Sequence, residues 1–585
     1  MNFIKNLLTT TLGFFVAIFL LLTLVVFIGI AIGEESKIVV APDSVLKIEL
    51  ASQIKDYAPK SNHPIDELIG YKDNPIGLNT AITAIENAKE DSNIKGISIQ
   101  IKRLNAGISQ VKEIRKALED FKNSGKFIMA YADYYGQKEY YLSSVADSLF
   151  VNPMGGVNFR GLISEVLFFK DFQDKLGIKM EVVRHGKYKS AVEPFLENKM
   201  TAENKLQLSE LLASLWSSIL DEISLSRKID FQNLNTIADG LKGRTAEFSF
   251  QNHLVDGVLY EDAYIDKLKR LTQKNSPSDS FKSLNLVEYI ASGKGRIFKS
   301  SSNKIAVIYA QGDIIYGKGD EDYIGQGMII ETLEKVRKDK KVKAVVLRVN
   351  TPGGDALASD LIWRALELTK TEKPLVVSMG DYATSGGYYI SCNANKIIAE
   401  PTTITGSIGV FGLFPNVSSL SDKLGIHAEF VKTNKAPSYS VFNPMESSFY
   451  NYSKESVTRV YKTFVTKVSK GRKMTYEDAN ALAQGRVWSG KQALENGLID
   501  TLGGLDIAIK SAADLAGISA YKIASYPSYK KDLREVFQDI PFVNSKKSFF
   551  KEWLGIKNYR FFKDVNSLRE VRGIQARLPY ILSID

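Results

Sequence analysis

A serine followed by two glycines, Thr384-Ser385-Gly386-Gly387, stands six residues beyond the end of an apolar run, Leu375 to Met379. A serine at a helix start is most often an N-cap. Here the glycines leave its hydroxyl uncrowded, and the Gly386 N–H lies at a helix start, where no intrahelical acceptor serves it. A second loop, Asn350-Thr351-Pro352-Gly353-Gly354, follows the apolar run Ala344 to Val349. Its two glycines let the backbone turn tightly and present an N–H with no side chain over it. A nucleophilic hydroxyl beside N–H groups from Gly386 and from Gly353 or Gly354 is the equipment of acyl transfer, in which a negative oxygen develops and must be stabilised.

A serine nucleophile also requires a base. The chain has four histidines, His63, His185, His253 and His427. None has a persuasive setting, and His185 is kept as a rival only because it lies four residues before Lys189. Lys189 itself is bracketed by Tyr188, Ala191, Val192, Pro194 and Phe195. Apolar surroundings of that kind can bring a lysine from its ordinary value of about 10.4 toward 7 or 8, where it is neutral and basic. No HExxH pattern or Cys/His cluster occurs in the chain, so neither a metal nor a cofactor is expected.

The elements that must position these groups come twice. Residues displaced by 248 match without a gap: Ala117-Leu118-Glu119 with Ala365-Leu366-Glu367, Tyr140-Tyr141 with Tyr388-Tyr389, and 174–178 with 422–426, both reading DKLGI. At this offset Ser385 falls opposite Gln137 and Lys189 opposite Pro437. Each half therefore carries one of the two groups, and the sequence leaves open whether they meet within one chain or between neighbours. Short β-branched runs alternating with helix-patterned segments indicate layered α/β domains. Two longer helical patterns, 202–220 and 453–469, are expected to pack the halves together or to build subunit contacts. At 585 residues the chain is too long for one core, and we divide it into 1–36, a first half 37–292, a second half 293–528 and an extension 529–585.

From Asn6 to Gly33 no residue is charged. That length suits a membrane-spanning helix, and Lys5 before it with Glu34-Glu35 after it places the first residues in the cytoplasm. The expectation is a single-pass anchor in the inner (plasma) membrane with both halves on the outer or periplasmic face. The formal charge of +10 could suggest nucleic acid. However, residues 530–585 alone hold 12 Lys or Arg against 7 Asp or Glu, interleaved with Phe549, Phe550, Trp553, Tyr559, Phe561 and Phe562. This composition suits membrane lipid headgroups or a packed helical extension, and nucleic acid is not expected. The single cysteine, Cys392, excludes an intrachain disulfide and reads as a small buried hydrophobe.

Four segments, 188–195 (YKSAVEPF), 348–354 (RVNTPGG), 383–389 (ATSGGYY) and 405–410 (TGSIGV), resemble in this order the signal peptide peptidase A family in its long, duplicated form. The resemblance implies tandem crotonase-like or Clp-protease-like α/β domains and a membrane-anchored serine protease with a Ser/Lys dyad. It also implies a homotetrameric bowl and, as substrates, released signal peptides and other unfolded apolar peptides. Carried over by position, it puts the nucleophile on Ser385, the general base on Lys189 and the oxyanion glycines on Gly353 or Gly354. Two other classes remain: a non-catalytic membrane scaffold of the same fold, and a coenzyme A thioester enzyme.

Overall fold

The computed structural model describes residues 2–32, 38–58, 75–273, 281–294, 301–529 and 574–577. The 248-residue repeat reappears as superposable architecture. Helices Leu78–Glu90 and Ile108–Lys122 of the first half have the bounds of Gln326–Lys338 and Ala356–Lys370 shifted by that offset, as have strands Ser148–Val151 and Lys396–Ala399.

The first half is built on a six-stranded parallel sheet in the order Gly257–Val258, Ser148–Val151, Phe127–Ala132, Ile94–Ile99, Ser44–Ile48 and Ser283–Asn285. In the second half the central strands Lys304–Gln311, Val342–Thr351 and Leu375–Thr384 are parallel, and the antiparallel strand Val487–Ser489 closes one edge. Val345, Val346, Leu347, Val376 and Val377 are fully buried, because helices cover both faces of such a sheet. These continuous β-branched runs are what made the strands legible in the sequence.

A third sheet joins the halves. Its order is Tyr323–Gly325, Asp313–Ile315, Gly353–Asp355, Ile574–Arg577, Val410–Asn416 and Lys179–His185. The last pair is antiparallel, with Val410 opposite His185 and Leu413 opposite Val182, so the first half lends a strand to the second. Both long helices exceed their expected bounds, running Ala202–Arg227 and Ser447–Arg472. The first packs Leu211 and Leu215 against Ile404 and Val487 of the other half. The second contributes Val457, Tyr461 and Phe464 to a core that includes Val183.

A buried ion cluster also ties the halves. Arg348, on the strand that leads to the Gly353-Gly354 loop, reaches Asp56 (Nε–Oδ1, 2.9 Å) and Glu113 (Nη2–Oε1, 2.6 Å) of the first half. Glu113 in turn accepts from the Leu505 N–H at 2.9 Å. Such a cluster stabilises only while all its members are present, since removing one leaves a buried charge uncompensated.

The expected membrane anchor is corrected here. Among the described residues no helix is long and apolar enough to cross a membrane. A helix does run Asn2–Ile32. The single-pass inner-membrane location, the outward-facing halves and membrane lipid as a partner rested on that span and are withdrawn with it. The basic, aromatic stretch read as suiting lipid headgroups or a helical extension lies outside the described residues. The portion of the extension that is described beyond Tyr529, Ile574–Arg577, is a strand.

Candidate active site

Ser385 sits between the strand Leu375–Thr384 and the helix Gly386–Ser391 with φ 54° and ψ −109°. A positive φ is strained for a residue with a Cβ. It is held by the Ser385 N–H donating to Gly406 O at 2.8 Å and by the Tyr389 N–H donating to Ser385 O at 2.8 Å. The hydroxyl makes no capping hydrogen bond to the helix it precedes, so the ordinary role of a serine in this position is not the one it has.

What Ser385 Oγ meets is Lys189 Nζ, 2.9 Å away in the same chain. Lys189 follows the borrowed strand Lys179–His185 and opens the short 3₁₀ turn Ser190–Val192. The long helix Ala202–Arg227 fixes this segment: Gln207 Nε2 donates to Tyr188 O and Ser190 Oγ, both at 3.0 Å. The Lys189 stem passes between glycines. A Cβ on Gly409 would come within 3.1 Å of Lys189 Cδ, and one on Gly485 within 2.6 Å of Lys189 N. Burial lowers the Lys189 amine from 10.5 to about 7, and no charged neighbour contributes.

Two further acceptors complete the arrangement, Ser407 O at 3.2 Å and Ser407 Oγ at 3.0 Å from Lys189 Nζ. A neutral amine has two N–H groups and one lone pair. In the resting geometry Lys189 Nζ donates to Ser385 Oγ; with both N–H groups of the neutral amine kept on Ser407, its lone pair can take the Ser385 hydroxyl proton instead. Sequence reasoning assigned Ser407 no role. Its φ of 51° turns its oxygens toward the lysine, and the only signal was its place in the 405–410 segment. Ser407→Ala is expected to lower kcat about 10-fold or more with KM nearly unchanged, and Ser407→Thr to recover much of the loss; steady-state kinetics on a short peptide check both.

The oxyanion candidates converge on the same place. Gly353 and Gly354 have φ of 104° and 157°, conformations open to glycine. The Gly353 N–H donates to Thr351 Oγ1 at 3.0 Å, and Gly354 lies between the strands Asp313–Ile315 and Ile574–Arg577. Thr384 Oγ1 donates to Pro352 O at 3.0 Å and so ties this loop to the residue before Ser385. Gly386 N lies 2.9 Å from where a Gly353 Cβ would stand.

The other sequence candidates fall elsewhere. His185 stacks on Tyr461 with ring centroids 4.0 Å apart, away from the hydrogen bonds of Ser385. Gln137, opposite Ser385 in the repeat, accepts from the Arg160 and Gly161 N–H groups at 3.1 and 3.0 Å, so the first half uses this position as a loop clamp. Cys392 is fully buried and donates to Tyr389 O at 3.3 Å; burial pushes its thiol up to about 12.

Residues 120–275 and 367–519 match the family model described as peptidase family S49. The two matched stretches are the two halves of the repeat. The chain is 36% identical to Protease 4 of Haemophilus influenzae over 511 residues, 84% of this chain and 82% of that protein. To Protease 4 of Salmonella typhi it is 34% identical, covering 87% of this chain and 84% of the other. The chloroplastic serine protease SPPA of Arabidopsis thaliana is 35% identical, over 74% of this chain and 65% of that protein. Fold and likeness together define a serine protease built from a duplicated α/β domain. The chain belongs to peptidase family S49, in the long, duplicated form related to signal peptide peptidase A. That membership removes the scaffold and thioester readings. The expected homotetrameric bowl is withdrawn: it followed from the resemblance alone, and Lys189 and Ser385 close at 2.9 Å within one chain, so no neighbour is required to build the site.

Proposed function

We propose that the protease hydrolyses extended, unfolded apolar peptides, released signal peptides among them, with Ser385 as nucleophile and Lys189 as general base. The observation that carries this is the 2.9 Å contact between the Ser385 hydroxyl and a fully enclosed amine brought to about 7 by burial. In this reading the half 37–292 supplies the base, the half 293–528 the nucleophile, and 529–585 forms an extension.

The neutral amine takes the Ser385 proton as Oγ attacks the scissile carbonyl. The N–H groups of Gly386 and of Gly353 or Gly354 receive the developing oxyanion. The resulting ammonium returns its proton to the leaving amine, and an acyl ester on Ser385 remains until water, activated by the same lysine, releases it. Apolar extended peptides suit the site because the strands Gly353–Asp355 and Val410–Asn416 are each paired to one intervening extended segment, a kind of pairing open to an extended peptide and closed to a folded domain.

An acid quench of the enzyme turning over an apolar peptide ester, followed by peptide mapping, is expected to find the acyl group on Ser385. Acyl label on any other residue, or turnover with none trapped on Ser385, assigns the nucleophile elsewhere. In the same assay an unfolded protein is expected to be cut and its folded form spared.

A further inference from the structure

The helices Ala356–Lys370 and Ser447–Arg472 flank a cleft with a volume of about 1190 Å³, which none of the groups assigned to the active site lines. Its lining holds seven Lys or Arg against two Glu. Arg364, Lys454, Arg459, Lys462 and Lys470 are exposed there and make no ion pair among the described residues. The other two cations are engaged. Lys370 Nζ donates to Asn393 O at 2.7 Å, and Lys467 pairs with Asp360 while lying 3.4 Å from the centre of the Trp363 ring. Five unpaired like charges around one cleft repel one another, and an anionic guest relieves that repulsion.

The floor of the cleft carries two hydrogen-bonding atoms that nothing among the described residues serves. Asn393, 4% exposed and just beyond the helix Gly386–Ser391, has an Oδ1 with no donor, and the buried Trp363 Nε1 has no acceptor. The amide cannot be turned over to help. Asn393 Nδ2 donates to Glu367 Oε2 at 2.8 Å, and reversal would set an oxygen against that carboxylate. Nor does the floor have room to close further, since a Cβ on Gly471 of the long helix would fall 2.1 Å from Cys392 O. A buried donor and a buried acceptor without partners are costly. A guest that meets both supplies one C=O and one N–H. A peptide group does so, whereas an ionised phosphate chain offers acceptors alone.

We propose that this cleft binds an extended acidic peptide, with the guest's carboxylates on the exposed lysines and arginines and one of its backbone amides on Trp363 Nε1 and Asn393 Oδ1. The line of cations from Lys454 to Lys470 runs roughly 24 Å along the helix at about 1.5 Å per residue. An extended chain of about seven residues spans that length. The guest is recognised by its charge and its backbone and not by a fold, so acidic stretches of unfolded chains are the partners that fit. Binding here uses neither Ser385 nor Lys189, and it stands independently of the roles given to them above.

The test titrates the full-length protein carrying Ser385→Ala into a fluorescein-labelled heptaglutamate and follows fluorescence anisotropy. One probe is expected to bind per chain, with affinity falling steeply as salt rises from roughly 0.05 to 0.5 M, and a neutral heptapeptide is expected not to displace it. Arg459→Glu together with Lys462→Glu is expected to weaken binding at least ~10-fold. Trp363→Phe, which keeps an aromatic ring beside Lys467 and removes the N–H, is expected to weaken it about fivefold. Thermal unfolding establishes that the variants are folded. Absence of saturable binding, or binding that the charge-reversed variant keeps, overturns the proposal. Linear polyphosphate of matched charge that binds as tightly as the peptide and is indifferent to Trp363→Phe shows a site that reads charge alone, and overturns the assignment to a peptide.

Discussion

Lys189→Met, which keeps the length of the side chain and removes the amine, is expected to lower kcat/KM for peptide hydrolysis by about a thousandfold or more, as is Ser385→Ala. The reason is geometric. Ser385 Oγ has the Lys189 amine at 2.9 Å, and its other polar contact among the described residues is a long one to Gly409 O at 3.4 Å, which can receive a hydrogen bond but cannot take a proton away. Groups that act as one unit are not additive, so the double variant is expected to be no slower than the worse single one. The measurement is kcat/KM for all three variants on one fluorogenic peptide, with thermal unfolding to establish that each is folded. Turnover by Lys189→Met within tenfold of the parent hands the proton to another group. Loss of activity in a double variant that multiplies the two single losses means that the residues do not act together.

The second large effect is on pH, and both rate and stability gain as pH rises. Because burial holds the amine near 7 rather than 10.5, kcat/KM is expected to rise tenfold per pH unit below about 7 and to level off above it. His185→Gln should leave that limb in place, since the His185 imidazole stacks on Tyr461 and does not touch Ser385. A limb that disappears with His185→Gln gives the base role to histidine. For stability the sign runs the other way from the usual salt-bridged lysine. A lysine lowered by folding is protonated more readily in the unfolded chain, so its penalty is fully present below about 7 and fades as pH rises toward 10.5. Lys189→Met is therefore expected to raise stability by ~2–4 kcal/mol at pH 6, less than the full cost of the shift because two or three hydrogen bonds are lost. The gain should shrink toward zero by pH 10, which denaturant unfolding at both pH values checks. An equal gain at both would mean that Lys189 is not held neutral by its surroundings.

The candidate residues of the site were legible where they depend on local residue type. Ser385 stands out because two glycines follow it, and Lys189 because its sequence neighbours are apolar; the 248-residue repeat showed that each half has only one of the pair. The paired α/β layers were legible too, since buried parallel strands read as β-branched runs whatever surrounds them. Partners separated by long stretches of chain were not. Lys189 and Ser385 are 196 residues apart, and only the pairing of Lys179–His185 with Val410–Asn416 brings them together within one chain. Ser407 is one serine among many until a φ of 51° aims it at the amine. Gly353 and Gly354 look alike until a hydrogen bond to Thr351 occupies one of their N–H groups. Ile574–Arg577 shows no strand alternation of its own, because what makes it a strand is the pair of edges waiting on either side. Local residue chemistry is written in sequence and can be read there, whereas register, burial and the value of a buried amine are set by atoms that arrive from elsewhere in the chain, and exist only once it has folded.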